Sequence, residues 1–329
     1  MSRYSLICYV NENYENEKWN STIEFFFQLH KSIFLKKGWE QGFNVKIEGA
    51  LDVEELYKIK KRLELIIKNH PSTLYDEDLF KKQYKAIAEI EKKSYAIETI
   101  YQNCIQLTSE KSNYNFQNNK QENLYSSISR ALDEIYLNYY FNNNLEYLEI
   151  AKDLFSIASS LNEYSYAHDG KVLDSNGFIS HLSHYYGFLY SFSKQKRNEI
   201  SQKFEEKALI DLEKIKGNYY TKRTEALVAL VNNTENNIQN LIEENHLNFY
   251  SPNTEKQFKA NMNTASSRHA LVFNDATFNE YVINDVILCT NRWFLNVFYE
   301  KLVLLKIRPI EKYYINYLLG RFKYPNQFR

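Results

Sequence analysis

The sequence predicts an α+β fold: a small N-terminal sheet with helices against it, followed by a mainly helical C-terminal two-thirds. Three observations predict it. Alternating runs rich in β-branched and aromatic residues are confined to the first third of the chain, at Tyr4–Val10, Phe43–Glu48 and Ala96–Leu107. From Leu124 onward, apolar residues recur at helical spacing. Only 8 Gly and 4 Pro in 329 residues leave long unbroken segments, which favours helix. Residues 1–110 therefore read as the strand-containing portion and 123–329 as the helical portion of one integrated domain. The polar stretch Thr108–Glu122, rich in Asn, Lys and Gln, reads as a mobile loop or linker between them.

Taken in order, Tyr4–Val10 reads as a strand and Asn11–Lys18 as a polar loop. Trp19–Leu35 carries Ile23, Phe26, Phe27, Ile33 and Phe34 at helical spacing, with Asn20 or Ser21 near its cap. Phe43–Glu48 alternates as a strand, with Asn44, Lys46 and Glu48 on one face. Asp52 caps a helix to about Asn69, with Val53, Leu56, Ile59, Leu63, Ile66 and Ile67 as its stripe, and Pro71 ends it. Asp76–Lys93 is a charged helix whose thin apolar seam is Leu79, Ile87 and Ile90. After that the chain reads helix after helix, over about 124–140, 145–162, 175–192, 197–215, 219–244, 276–303 and 309–321. His168-Asp169, in Tyr-Ala-His-Asp-Gly, reads as a turn.

Composition narrows the function classes. Forty-one basic and 41 acidic residues leave no net charge, so a nucleic-acid partner is not expected. No apolar run reaches the roughly 18 residues of a membrane span, and no membrane partner is expected. Cys8, Cys104 and Cys289 are odd in number and far apart, which fits a reduced, cytoplasmic protein. Twenty-eight Tyr supply hydroxyl-tipped aromatic surface suited to a peptide. The tail from Lys301 holds Lys301, Lys306, Arg308, Lys312, Arg321, Lys323 and Arg329 against Glu311. It reads either as a solvated face or as a surface for an acidic peptide.

The stretch richest in chemistry is Gly177–Leu189, Gly-Phe-Ile-Ser-His-Leu-Ser-His-Tyr-Tyr-Gly-Phe-Leu. On a helix, Phe178, Leu182, Tyr185 and Leu189 share one face, and Ser180, Ser183, His184 and Gly187 another. Such a helix can line a wet cavity. The same pattern also belongs to a buried helix whose hydroxyls and imidazoles are satisfied by neighbours. His181 and His184 are spaced to share a metal, but no carboxylate partner for either is visible, and no metal is expected. The chain has no Walker loop, G-x-G-x-x-G, C-x-x-C or H-E-x-x-H.

The S-H-x-S-H-x-x-G-F-L pattern of this stretch resembles the C-terminal segment of the thiopeptide-type bacteriocin biosynthesis family. So do Ser5–Val10, Trp39–Gly49 and the helix pair within Leu295–Leu319. That family comprises the glutamate-elimination domain of lantibiotic dehydratases and its stand-alone relatives. Among the relatives are the pyridine synthases of thiocillin- and micrococcin-type thiopeptides. Three departures separate this chain from the elimination branch. Where that branch has an H-L-R-L-R-like strand, this chain reads Asn44-Val45-Lys46-Ile47-Glu48. Where its late helix has an H-M-x-x-N-R-like motif, Arg292 stands in place of the histidine. A segment like Y-x-x-E-x-x-R-Y-G-G is also missing. An elimination site wants a cationic fork for a glutamate leaving group, and here it is diluted.

The resemblance therefore implies the cyclase branch: a formal aza-cycloaddition between two dehydroalanines of a thiazole-containing peptide, with loss of water and leader peptide. It implies no redox cofactor. It implies two kinds of partner, a leader-bearing precursor peptide and other enzymes of the pathway. Such chemistry needs two chain ends held together, an amide carbonyl polarised and protons moved. The candidate catalytic residues are Ser180, Ser183, His184, Arg292 and Tyr9. The candidate substrate-binding residues are Asn44, Lys46, His181 and Tyr185. Two other readings stay open: an elimination subunit of a split dehydratase, and a non-catalytic peptide-binding partner.

Overall fold

The computed structural model describes residues 4–49, 51–91, 97, 99–109, 116–141, 145–168, 171–217, 221–265, 275 and 280–328. Six strands and eleven α-helices follow in chain order among the described residues. They are β1 (Tyr4–Tyr9), α1 (Glu17–Leu29), β2 (Ile33–Gly38), β3 (Asn44–Gly49), α2 (Val53–Asn69), α3 (Glu77–Glu91), β4 (Cys104–Thr108) and α4 (Asn119–Phe141). Then come α5 (Tyr147–Ser160), β5 (Tyr164–His168), β6 (Lys171–Ser175), α6 (Ile179–Leu189), α7 (Lys194–Lys216), α8 (Lys222–Glu243) and α9 (Glu255–Ala265). The last helices are α10 (Val286–Leu304) and α11 (Pro309–Lys323). The α+β layout expected from the sequence is the one observed, a small antiparallel sheet early and helices after it.

The chain forms two compact units, neither of them continuous in sequence. The first holds Met1–Asn113, Ser129–Asn144 and Phe298–Pro309. The second holds Tyr114–Ile128, Leu145–Val297 and Ile310–Arg329.

In the first unit, a four-stranded sheet has the order β2-β3-β1-β4. All its pairs are antiparallel. The α2 stripe Leu56, Ile59, Leu63, Ile66 and Ile67 is buried as its spacing predicts. Burial of each such side chain stabilises by roughly 1.5–3 kcal/mol. Asp52 caps α2 by accepting a hydrogen bond from the Glu54 amide. Three expectations are corrected here. The helix expected to reach Leu35 stops at Leu29, and Ile33–Gly38 is a strand instead. No glycine or proline marks that boundary; β-branched and aromatic Ile33 and Phe34 become strand by pairing with Gly49 and Glu48. The cap of α1 is Asn16, whose side chain accepts from the Trp19 amide, rather than Asn20 or Ser21. The buried seam of α3 is Phe80, Tyr84 and Ala88, which pack on Phe43, while Leu79 is exposed. Aromatic partners across the core chose that face. Of the run Ala96–Leu107 only its end is strand; residues 92–96 and 98 lie outside the described residues. Residues 110–115 of the expected linker lie outside them as well.

The free edge of the sheet at β2 is closed by charged side chains of the same unit. Leu35 donates its amide to Asp133 Oδ2 at 2.6 Å and accepts Lys301 Nζ on its carbonyl at 2.6 Å. Lys301 and Asp133 form an ion pair at 2.8 Å, each fully buried. Tyr140 adds a third donor to the carboxylate at 2.9 Å. Arg130 donates to the carbonyls of Phe27, His30 and Ile33, and its guanidinium lies 3.3 Å from the centre of the Phe27 ring. An unpaired strand edge invites pairing with another chain; here three side chains replace the missing strand. Lys301, expected on a solvated or peptide-binding face, lies in this core.

In the second unit, α5 packs on α7 and α8. Two elements were not expected there. Tyr164–His168 and Lys171–Ser175 form an antiparallel hairpin, so the helix read from 175 begins only at Ile179. The helix α9 lies in a stretch left without an element. The expected turn falls at His168-Asp169, of which Asp169 lies outside the described residues.

Candidate functional site

The helix α6 is fixed from both ends and from beneath. Asn176 Oδ1 accepts from the Phe178 and Ile179 amides at 2.9 and 3.1 Å, which caps the helix start. Its Nδ2 donates to Tyr324 Oη at 2.8 Å, and its carbonyl accepts from Asn291 Nδ2 at 2.9 Å. A Cβ on Gly177 would stand 2.2 Å from the Ala158 carbonyl oxygen, so only glycine lets the chain enter α6 against α5. Gly320 likewise lets α11 approach α6, since a Cβ there would meet Leu182 Cα at 3.2 Å. The start of α10 is held next to this. Asp285 accepts from the Leu288 amide at 2.7 Å, from Ser175 Oγ at 2.9 Å and from Tyr166 Oη at 3.1 Å. Burial raises its carboxyl above the usual range, and these hydrogen bonds oppose that rise.

The two faces of α6 divide as the spacing predicts. Phe178, Leu182, Tyr185, Phe188 and Leu189 are buried, while Ser180, Ser183, His184 and Gly187 are half-buried. The two histidines part company. His181 belongs to the buried side, 1% exposed, with Nδ1 2.8 Å from Asn316 Oδ1 on α11. Burial pushes its pKa down to about 4, against the hydrogen bond to Asn316, so it is neutral at physiological pH. A neutral, enclosed imidazole is placed to hold α6 on α11 rather than to touch a ligand. His184 stands on the half-buried polar face with Ser180 and Ser183.

Tyr185 sits at the junction of core and cavity. Its hydroxyl is 3.2 Å from Ser201 Oγ, and its ring packs on Tyr317 at 5.0 Å and Phe328 at 5.6 Å. With Tyr186, Glu205 and Gln327 these residues line an open cavity of about 360 Å³. Burial raises the Tyr185 hydroxyl to about 12, so it keeps its proton and serves as a donor. Tyr186 Oη donates to the Gln327 carbonyl at 2.7 Å, which fastens the C-terminal turn over one wall.

Arg292, on α10, lines a different cavity of the second unit, with Phe116, Tyr125, Trp293 and Asn296 among its walls. It donates to the Phe249 carbonyl, and its guanidinium stands 4.4 Å from the centre of the Phe258 ring and 5.3 Å from that of Phe249. Stacking on two rings fixes a permanently charged group at the cavity wall.

The other three candidates lie in the first unit and share one face of its sheet. Tyr9 stands directly opposite Asn44, and Lys46 is two residues further along β3. Tyr9 is buried, with its hydroxyl 3.4 Å from Gln41 Oε1 and its ring 5.1 Å from that of Tyr101. Asn44 is 1% exposed and donates to the carbonyls of Glu40 and Gly42 at 3.2 and 2.9 Å. Lys46 is half-buried and faces Lys36 across the strands. Lys36 in turn pairs with Glu48 at 3.2 Å, which sets a carboxylate beside the two lysines on this face.

The positioning residues Asn176, Asp285 and Asn316 were not legible as such. Each has its partner more than a hundred residues away, beyond the reach of any local pattern. Among the described residues no set of three His, Cys, Asp or Glu side chains gathers as metal ligands. Among them, too, no helix is long and apolar enough to cross a membrane.

No family model matches the chain, and no curated protein matches it. Solved structures do. One is TbtD, the pyridine synthase of thiomuracin biosynthesis, which shares 14% identity over 99% of this chain and 99% of its own, with a TM-score of 0.62. Another is TsrL, at 11% identity over 98% of this chain and 94% of its own, with a TM-score of 0.59. At these identities the likeness is one of fold, and the fold is that of a thiopeptide pyridine synthase.

Proposed function

We propose that this protein is a pyridine synthase of thiopeptide type. It joins two dehydroalanines of a thiazole-containing ribosomal peptide in a formal aza-cycloaddition. One amide tautomerises to its imidic acid to complete a 2-azadiene. Two new bonds close a six-membered ring. The ring then loses water and expels the leader peptide as an amide, and a pyridine remains. No oxidant is consumed. The observation that carries this reading is the end-to-end agreement with TbtD, 99% of each chain.

The residues fit such work. Ser180 and His184 stand four apart on the half-buried face of α6, a spacing that lets a peptide carbonyl lie between them. An imidazole ordinarily titrates near neutrality and suits the proton shuttling that aromatisation requires. Arg292, fixed against its two rings, suits stabilisation of negative charge on an amide oxygen. In the first unit, half-buried Lys46 is suited to contact with the peptide, while buried Tyr9 and Asn44 behind it on the same sheet face serve as positioning residues. The core placement of His181 removes it from substrate contact and makes it a positioning residue.

The test is incubation with a leader peptide joined to a synthetic bis-dehydroalanine core, followed by mass spectrometry. The expected products are the pyridine macrocycle and the free leader carboxamide. A glutamylated peptide converted to its dehydroamino acid, with the bis-dehydroalanine core untouched, overturns the reading in favour of an elimination subunit. Peptide binding without either product leaves a binding partner.

A further inference from the structure

In the first unit a cavity opens where β2 ends, lined by Glu12, Tyr14, Trp19, Lys37, Tyr140 and Lys306 among others. We propose that it is a subsite for an acidic side chain of the peptide, whose carboxylate pairs with Lys37 and Lys306. The identity of that peptide rests on the pyridine synthase reading; the carboxylate chemistry stands on this unit alone.

Three observations converge. The first is the state of Lys37. It is half-buried, and among the described residues no carboxylate comes within ion-pairing distance of it. Burial pushes its pKa down to about 8, Lys306 pushes the same way, and Glu12 only partly opposes them. A desolvated ammonium without a counterion is costly, and an incoming carboxylate relieves that cost.

The second is the backbone at Lys306. The end of α10 closes as a Schellman turn: Ile307 N donates to the Leu302 carbonyl at 2.9 Å, and Lys306 N to that of Val303 at 3.2 Å. That places Lys306 at the left-handed position, φ 60°, where glycine is the least strained residue. A lysine is held there against backbone preference, and its side chain faces the cavity that Lys37 lines.

The third is the rest of the lining. Glu12 and Glu15 also face the cavity, and they too make no ion pair among the described residues. Acceptors beside cations suit a peptide, which brings N–H donors along with its acid, and oppose a polyanion. Trp19 and Tyr14 give an apolar wall for the stem of a glutamate.

The test uses the full chain and a short fluorescein-labelled peptide carrying two glutamates, with the same peptide carrying glutamines as its control. Fluorescence anisotropy should give the glutamate peptide at least about tenfold tighter binding. Lys37→Met, which keeps the stem, should remove that preference, and Lys37→Arg should keep it. Lys306→Gly should weaken the glutamate peptide while raising the melting temperature, a pairing that a merely structural lysine would not give. Affinity should fall as pH rises through about 8, where Lys37 sheds its proton. Tyr14 and Tyr140 keep theirs, because burial raises both hydroxyls. Equal binding of the two peptides, or a preference that survives both Lys37→Met and Lys306→Gly, overturns the proposal. Turnover of a glutamate-free bis-dehydroalanine core is measured in parallel. If wild type binds the glutamate peptide through Lys37 but forms no pyridine, the subsite stands and the proposed reaction falls.

Discussion

Leu35 and Lys37 stand two residues apart on β2, yet the strand is treated in opposite ways at the two places. At Leu35, backbone donor and acceptor are both claimed, by a lysine and an aspartate that claim each other. At Lys37 the charged side chain meets a cavity and no partner among the described residues. Burial lowers the pKa of Lys301 and of Lys37 alike. Burial therefore does not tell a structural lysine from a binding one; the number of partners does. The histidines of α6 repeat the lesson. His181 is enclosed and bonded to Asn316, whereas His184, one turn on, stands at the half-buried face.

The largest effect should come from the sealed edge. Lys301→Met leaves Asp133 buried with its charge uncompensated and should cost about 3–5 kcal/mol. Chemical denaturation reads this. Adding Asp133→Asn, which keeps an acceptor for the Leu35 amide, should return much of the loss. A loss under about 1 kcal/mol in the single variant would put Lys301 in the same class as Lys37 and end the contrast.

Next is the enclosed histidine. Its folded pKa of about 4 lies below the ordinary 6.5, so in this window the unfolded chain binds the proton more readily. The stability it contributes is complete above pH 6.5 and is lost as pH falls toward 4, by roughly 3 kcal/mol in all. Unfolding free energies measured across that range should slope in the wild type and flatten in His181→Gln. Parallel slopes would place His181 in contact with solvent.

The half-buried face of α6, and Arg292 at its separate cavity, should respond in rate instead of stability. His184→Phe, Ser183→Ala and Arg292→Met should each lower turnover at least about tenfold, roughly 1.4 kcal/mol in barrier. Melting temperature and leader affinity should hold. Unchanged turnover in all three removes both places from the chemistry, and loss of folding in all three returns them to a structural role. The smallest effect is expected at the exposed pair Lys196–Glu199, 3.2 Å apart, where Lys196→Ala should change stability by less than about 0.5 kcal/mol. A larger change would mean that exposed pairs carry weight in this fold, which would blur the distinction drawn at β2.

Local pattern alone determined much of this protein. The α2 stripe and its Asp52 cap, the strands at Tyr4 and Phe43, and the two faces of α6 follow from periods of 3.6 and 2, which any short window contains. So did the placement of Ser180, Ser183 and His184 on one face. Tertiary structure decided what depends on distant partners. Ile33 and Phe34 became strand because Glu48 and Gly49 pair with them. The seam of α3 moved to Phe80 and Tyr84 because Phe43 offered rings. Lys301 left the expected basic face because Asp133 and Leu35 accept it inside the first unit. His181 became neutral because distant segments bury it, against the hydrogen bond to Asn316, 135 residues later. A side chain's burial and partner are set by chain segments that no local window joins, and these decide which of two identical residues holds the fold and which is left to meet a ligand.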